Sequence, residues 1–187
     1  MTTVFDHPDF DAHEEIRFFT DAASGLRGII ALHSTRLGPA LGGTRFVSYP
    51  DDRAALTDVL RLSRGMTAKA AVAGLPLGGG KGVILADPAT DRNRVLDAYA
   101  IQVDRFGGRF VTGEDVGITE ADADRIHHHT RYIAGVSGPE GGRGDPSPRT
   151  AEGVLGAMRA ALAHTRGDTS LEDRRVIVSG LGKVGYA

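Results

Sequence analysis

Two lysines carry the chemistry that this sequence suggests. The chain holds 22 lysines and arginines in 187 residues, and only three of them, Lys69, Lys81 and Lys183, are lysine. Arginine supplies nearly every other positive charge. A lysine kept among Gly, Ala and aliphatic residues therefore points to a property arginine lacks, a compact ammonium that sheds its proton when desolvated. Lys69 and Lys81 share the stretch from Gly65 to Asp87, GMTAKAAVAGLPLGGGKGVILAD. An amine held by the bare backbone of Gly78-Gly79-Gly80-Lys81, with the Lys69 cation nearby, has the electrostatic profile of a general base or water activator. A phosphate-loop reading fails on spacing, because GxxxxGK[ST] needs Gly where Leu75 stands and Ser or Thr where Gly82 stands.

Asp115, in Gly113-Glu114-Asp115-Val116-Gly117, is a candidate partner for Lys81. A turn-forming aspartate is the other reading of that position. The pairing carries a geometric tension. If Lys81 precedes a strand over 82–86 and Asp115 follows one over 109–112, parallel strands would separate them by about 17 Å, five residues at about 3.3 Å each. A common site then needs antiparallel strands, or two loops folded over one sheet edge.

Three further patterns could be chemical. Gly42 and Gly43 mark either backbone that another group approaches closely or a bulge at the start of a strand. Gly180-Leu181-Gly182-Lys183-Val184-Gly185 is a GxGxxG directly after a β-rich run, the opening of a dinucleotide-binding βαβ unit. Its confirming helix, second strand and ribose-binding acid are not in the sequence. His127-His128-His129 is no metal cluster, because consecutive helix positions point in different directions. No metal site is expected.

These residues need elements to hold them. Glu14–Asp21 and Leu26–Ser34 read as strands joined by a hairpin at Ala22-Ala23-Ser24-Gly25. Asp51-Asp52 offers an N-cap for a helix to about Ala73, with Leu56, Val59, Leu60, Met66 and Ala70 on its core face. Lys69 lies on a stripe with Leu62, Met66 and Ala73, set either against apolar neighbours or snorkelling to water. Gly78–Lys81 leads into the strand over 82–86. A helix over 91–106, a short strand over 109–112 and an acidic helix capped by Thr119 follow. A Gly/Pro-rich loop over 136–148 leads to a helix over 150–165 and a strand over Arg174–Ser179.

An apolar share of 41%, a charged share of 25% and a net charge of −2 describe an ordinary globular protein, with no basic surface for nucleic acid. There is no cysteine, hence no disulfide framework and no thiolate chemistry. No apolar run reaches the roughly 18 residues of a membrane span, and the acidic N-terminus lacks a secretion signal. A cytoplasmic protein without membrane partners is the expectation.

Five segments, taken together, resemble the NAD-dependent Glu/Leu/Phe/Val amino-acid dehydrogenase family, most closely its leucine, valine and phenylalanine branch. They are LGPALGGTR (37–45), RLSRGMTAKAAVAGLPLGGGKGVI (61–84), GGRFVTGEDVG (107–117), GDPSPRTAEGV (144–154) and GLGKVG (180–185). The resemblance implies an α/β fold, a mixed β-sheet flanked by helices. Residues 1–150 would form a substrate-binding and oligomerisation domain. Residues 151–187 would supply a connecting helix and the first strand and Gly-rich turn of an incomplete Rossmann domain.

By the same resemblance the reaction is reversible oxidative deamination of an L-amino acid to its 2-oxo acid and ammonia, with NAD as cofactor, in a homo-oligomer. Lys69 would bind the substrate carboxylate. Lys81 would activate water and stabilise the carbinolamine, and Asp115 would handle protons on the amine beside the nicotinamide. Gly42 and Gly43 would shape the pocket. Leu41, where the glutamate enzymes carry a lysine, would favour an apolar side chain. Arg45, Thr150 and the Gly180–Gly185 turn would contact the cofactor. Both lysines are expected in one cleft. The 187 residues alone are expected not to hold NAD productively, and a non-catalytic binding or assembly module is the alternative.

Overall fold

The structure, a computed structural model, describes residues 3–137 and 146–187. Most of the Gly/Pro-rich loop expected over 136–148 lies outside the described residues. The chain divides into two compact units, 1–142 and 143–187. The division expected at 150/151 falls inside a helix of the second unit.

The first unit is built on a six-stranded mixed sheet. The predicted hairpin forms from β1 (Glu15–Asp21) and β2 (Leu26–Ser34), paired antiparallel with Phe18 opposite Ile29. At its turn, the Asp21 carboxylate accepts hydrogen bonds from the backbone N–H and the hydroxyl of Ser24 at 2.9 and 2.6 Å. β3 (Ala40–Leu41) and β4 (Thr44–Val47) flank the Gly42-Gly43 pair. Helix α1 (Asp52–Val72) is capped by the Asp51 carboxylate, which accepts from the Ala54 N–H at 2.7 Å. Such a cap is worth about 1 kcal/mol.

Strand β5 (Gly78–Leu85) is the centre of the sheet. It pairs antiparallel with β2 and parallel with both β3 and β4, and β3 in turn pairs parallel with β6 (Phe110–Val111). The strand therefore begins at Gly78, not at Gly82, and Lys81 sits inside it. Three glycines have little strand preference of their own, and partners on both sides impose the conformation.

Both faces of the sheet are covered, which is why β2 reads as a continuous apolar run rather than an alternating one. Ile29, Ala31 and Val83 pack with Ala55, Val59 and Leu60 of α1. On the opposite face Ile30, Leu32 and Ile84 pack with helix α2 (Arg92–Asp104), which contributes Leu96 and Tyr99, and with helix α3 (Glu120–His127), which contributes Ile126. α3 carries its expected cap, Thr119, and the Asp91 carboxylate caps α2.

In the second unit, α4 (Ser147–Arg166) ends on Gly167 in the left-handed conformation. Arg174–Ser179, expected as a strand, has no sheet pairing among the described residues, and α5 (Lys183–Tyr186) follows. The β-branched run Val176-Ile177-Val178 has the preference for a strand, but the described residues of this unit provide no neighbouring strand to hydrogen-bond it. Its side chains are exposed.

Candidate functional site

Strand alternation puts Gly79, Lys81 and Val83 on the α1 face of β5. Lys81 is directly opposite Ala31 of β2 and is only 4% exposed. The glycines around it explain how a helix comes so close. A Cβ on Gly79 would overlap the Thr67 backbone of α1, and one on Gly80 would lie 2.8 Å from the Phe110 ring on the other face. A Cβ on Gly82 would overlap the Tyr99 hydroxyl. Bare backbone lets α1 and the aromatic layer close on the strand from both sides, and Lys81 is left with little water.

The Lys81 ammonium donates to the Asp115 carboxylate, Oδ2. Burial pushes the Lys81 amine below its ordinary range, against the opposing pull of Asp115. Burial would raise the Asp115 carboxyl, but the hydrogen bond and charge of Lys81 outweigh it and hold Asp115 low. A desolvated amine beside an ionised carboxylate gives up its proton more readily than a free lysine, which suits it to proton exchange with a bound reactant.

Gly42 and Gly43 stand where the backbone must pass between loops. A Cβ on Gly42 would overlap the Gly80 carbonyl, and one on Gly43 would overlap that of Glu114. The group that approaches this pair is the protein's own main chain. Leu41 is paired with both Gly79 and Val111, so it shares the Lys81 face, half-buried.

Arg45 joins the same constellation. Its Nη1 donates to both carboxylate oxygens of Asp58 on α1, at 2.9 and 2.8 Å. Its Nε lies 3.5 Å from Asp115 Oδ1. The Tyr49 hydroxyl donates to Asp58 Oδ2 at 2.8 Å. Asp58 and Tyr49 were not anticipated from the sequence. The available signal was a carboxylate at position 58 within the Ala55–Val59–Leu62 stripe of α1. Beside them lies an open cavity of about 520 Å³, lined by Arg45, Tyr49, Asp58, Thr57 and Val116 among others.

Lys69 is exposed in the last turn of α1, because Ser63 and Ala70 are the residues buried towards the sheet. Of the two lysines expected in one cleft, Lys81 is buried and Lys69 is exposed. The cation that bears on Lys81 is the Arg45 guanidinium. Thr150 and the Gly180–Gly185 turn belong to the second unit and are exposed; the Thr150 hydroxyl donates to the Pro146 carbonyl at 2.9 Å.

Residues 13–132 match a family model described as Glu/Leu/Phe/Val dehydrogenase, dimerisation domain, and the chain belongs to this family. It is 49% identical to the leucine dehydrogenase of Bacillus subtilis (strain 168) over 175 residues, 93% of this chain and 48% of that protein. It is also 49% identical to the valine dehydrogenase of Streptomyces virginiae over 187 residues, 100% of this chain and 52% of that one. Among solved structures, L-tryptophan dehydrogenase from Nostoc punctiforme superposes with a TM-score of 0.73 at 42% identity, over 94% of this chain and 49% of that chain. The hetero-hexameric glutamate dehydrogenase from Thermus thermophilus, in its Leu-bound form, gives 0.74 at 26% identity, over 92% and 45%. The chain spans about half the length of the relatives it matches. The mixed sheet flanked by helices is shared with the matching part of these dehydrogenases. Among the described residues, no helix is long and apolar enough to cross a membrane.

Proposed function

We propose that this chain supplies the substrate domain of an NAD-dependent dehydrogenase that deaminates an apolar L-amino acid to its 2-oxo acid and ammonia. The observation that carries the reading is the couple between buried Lys81 on the central strand and half-buried Asp115. With its amine neutral, Lys81 accepts a proton from the water that adds to the imino carbon, and its ammonium then stabilises the carbinolamine oxygen. Asp115 moves protons on and off the substrate nitrogen. Lys69, long and free in water, holds the substrate carboxylate, and Leu41 on the Lys81 face favours an apolar side chain.

The second unit bears on the cofactor. Gly180 has φ of +98°, and a Cβ on Gly185 would overlap the Gly180 carbonyl. The turn thus needs glycine at both places, as a phosphate-binding GxGxxG requires. Gly180 to Gly185, with Arg45 and Thr150, would hold the dinucleotide, which supplies a hydride acceptor. Residues 1–150 serve substrate binding and assembly and 151–187 begin the nucleotide-binding domain, in a cytoplasmic homo-oligomer. The name of the matching family model and the leucine and valine dehydrogenase relatives support both assignments.

The test grafts this chain in place of the matching half of the Streptomyces virginiae valine dehydrogenase and follows NADH formation with leucine, valine and phenylalanine. Turnover that disappears in Lys81→Ala supports the reading. Undiminished turnover in that variant overturns it. Calorimetric titration of the chain itself with the same amino acids separates a substrate domain from a pure assembly module.

A further inference from the structure

We infer that Asp58, with Tyr49 bound to it, is a positioning residue: it holds the Arg45 guanidinium back from Asp115, so that Asp115 remains the partner of Lys81. Its importance for catalysis rests on the reading of Lys81 as the proton acceptor, but the coupling itself does not.

The geometry has three parts. Arg45 is fully engaged on one side, where a single nitrogen is shared by both oxygens of Asp58. On the other side its Nε is buried, 3.5 Å from Asp115 Oδ1, and makes no hydrogen bond. The guanidinium therefore stands between two carboxylates, ion-paired with both and hydrogen-bonded only to Asp58. The Tyr49 hydroxyl supplies a further donor to Asp58, fixing the carboxylate that does the holding. The four groups come from β4 (Arg45), the segment after it (Tyr49), α1 (Asp58) and the loop after β6 (Asp115). Asp115, Arg45 and Asp58 act on Lys81, Lys81 and Arg45 act on Asp115, and Tyr49 enters through its hydrogen bond to Asp58.

The signs follow from the charges. Asp58 favours the Lys81 ammonium and Arg45 disfavours it. Removing the Asp58 charge takes away a favourable neighbour and leaves Arg45 uncompensated. It also frees Arg45 to close the gap to Asp115 and compete with Lys81 for that carboxylate. All three changes make the amine lose its proton more readily. The orphaned Nε gives Arg45 a reason to move, since a buried unpaired donor is costly.

Lysine scarcity makes the test direct. The chain has three lysines, so lysine labelled with ¹³C at Cε gives three resonances, and Lys69→Arg and Lys183→Arg identify that of Lys81. The titration uses the 187-residue chain without substrate or cofactor. Asp58→Asn is expected to move the Lys81 titration to lower pH, and Asp58→Glu, which keeps the charge, to restore it. Arg45→Gln is expected to move it to higher pH, and the Asp58→Asn shift should shrink on the Arg45→Gln background. An Asp58→Asn protein that keeps the wild-type midpoint overturns the inference. So does an equal shift in Asp58→Asn and Asp58→Glu, which would indicate packing. If Asp58→Asn does not fold, an Arg45→Gln midpoint that stays put or falls has the same consequence. A confirmed coupling alongside undiminished turnover in Lys81→Ala would sink the catalytic reading and leave this one standing.

Discussion

The Lys81 ammonium reaches the Asp115 carboxylate within a set of parallel strands, not across an antiparallel pair. Leu41 of β3 is level with Gly79 on one side and Val111 on the other. Lys81 lies two residues beyond that level and Asp115 four. The offset along the strands is about 7 Å at about 3.3 Å per residue, within the reach of a lysine stem. The separation anticipated for a parallel arrangement vanishes because Lys81 is inside β5 instead of ahead of it.

The two lysines should separate kinetically in the assembled enzyme. Lys81→Ala is expected to lower kcat by about 10² to 10⁴-fold, the usual contribution of a positioned acid–base group. The far-ultraviolet circular dichroism should not change. Retained kcat would contradict the role given to the buried amine.

Lys69→Ala is expected to raise KM for the amino acid, with a smaller effect on kcat. Because Lys69 is exposed, its loss should change stability by no more than about 0.5 kcal/mol. Steady-state kinetics and a urea melt on one preparation check both halves.

Glycines within reach of one another in sequence should respond in opposite directions. Gly79→Ala forces a methyl into the Thr67 backbone and should cost about 1–3 kcal/mol or more. Gly65 sits in the middle of α1 with nothing within 4 Å of an added Cβ. Gly65→Ala should stabilise by about 0.5–1 kcal/mol. Urea denaturation midpoints for the two variants read the contrast.

Acid should begin to destabilise the chain through His13. This ring is buried, donates from Nε2 to the Leu60 carbonyl at 3.1 Å and accepts the Asp11 N–H on Nδ1 at 3.2 Å. Burial lowers its pKa from the ordinary 6.5. Below about pH 6.5 the unfolded chain therefore binds a proton that the folded chain refuses, and stability falls as pH drops. The carboxylates held low, such as Asp115 and Asp122, add their loss only at more acidic pH, below the ordinary 3.8. His13→Gln should flatten stability against pH in the upper window and leave the lower one. A slope unchanged between pH 6.5 and 5 would refute the assignment.

Much of the scaffold is legible from local signals. Asp51 and Thr119 cap the helices they precede, and the apolar spacing of α1 identifies its core side. The hairpin follows from two β-rich runs around a short turn. Long-range partners decided what was missed. Nothing in Gly78-Gly79-Gly80 announces a strand, since its conformation comes from β2 on one side and β3 on the other. Val176-Ile177-Val178 announces a strand and does not form one, since no strand pairs with it among the described residues. Lys81 and Asp115 could be singled out by residue type, but Asp58 and Tyr49 matter through Arg45, and that contact joins segments no local pattern connects.

Strand β5 surrounds its one amine with main chain and almost no side chains, and this restricts how the protein can evolve. Nearly every substitution beside Lys81 adds atoms where atoms already touch, so selection has few small steps to take there. The Lys81 nitrogen is thereby anchored while its more open surroundings stay free to diverge. New preferences would have to be written at positions such as Leu41, half-buried on the same face, where a side chain can change size without moving the sheet.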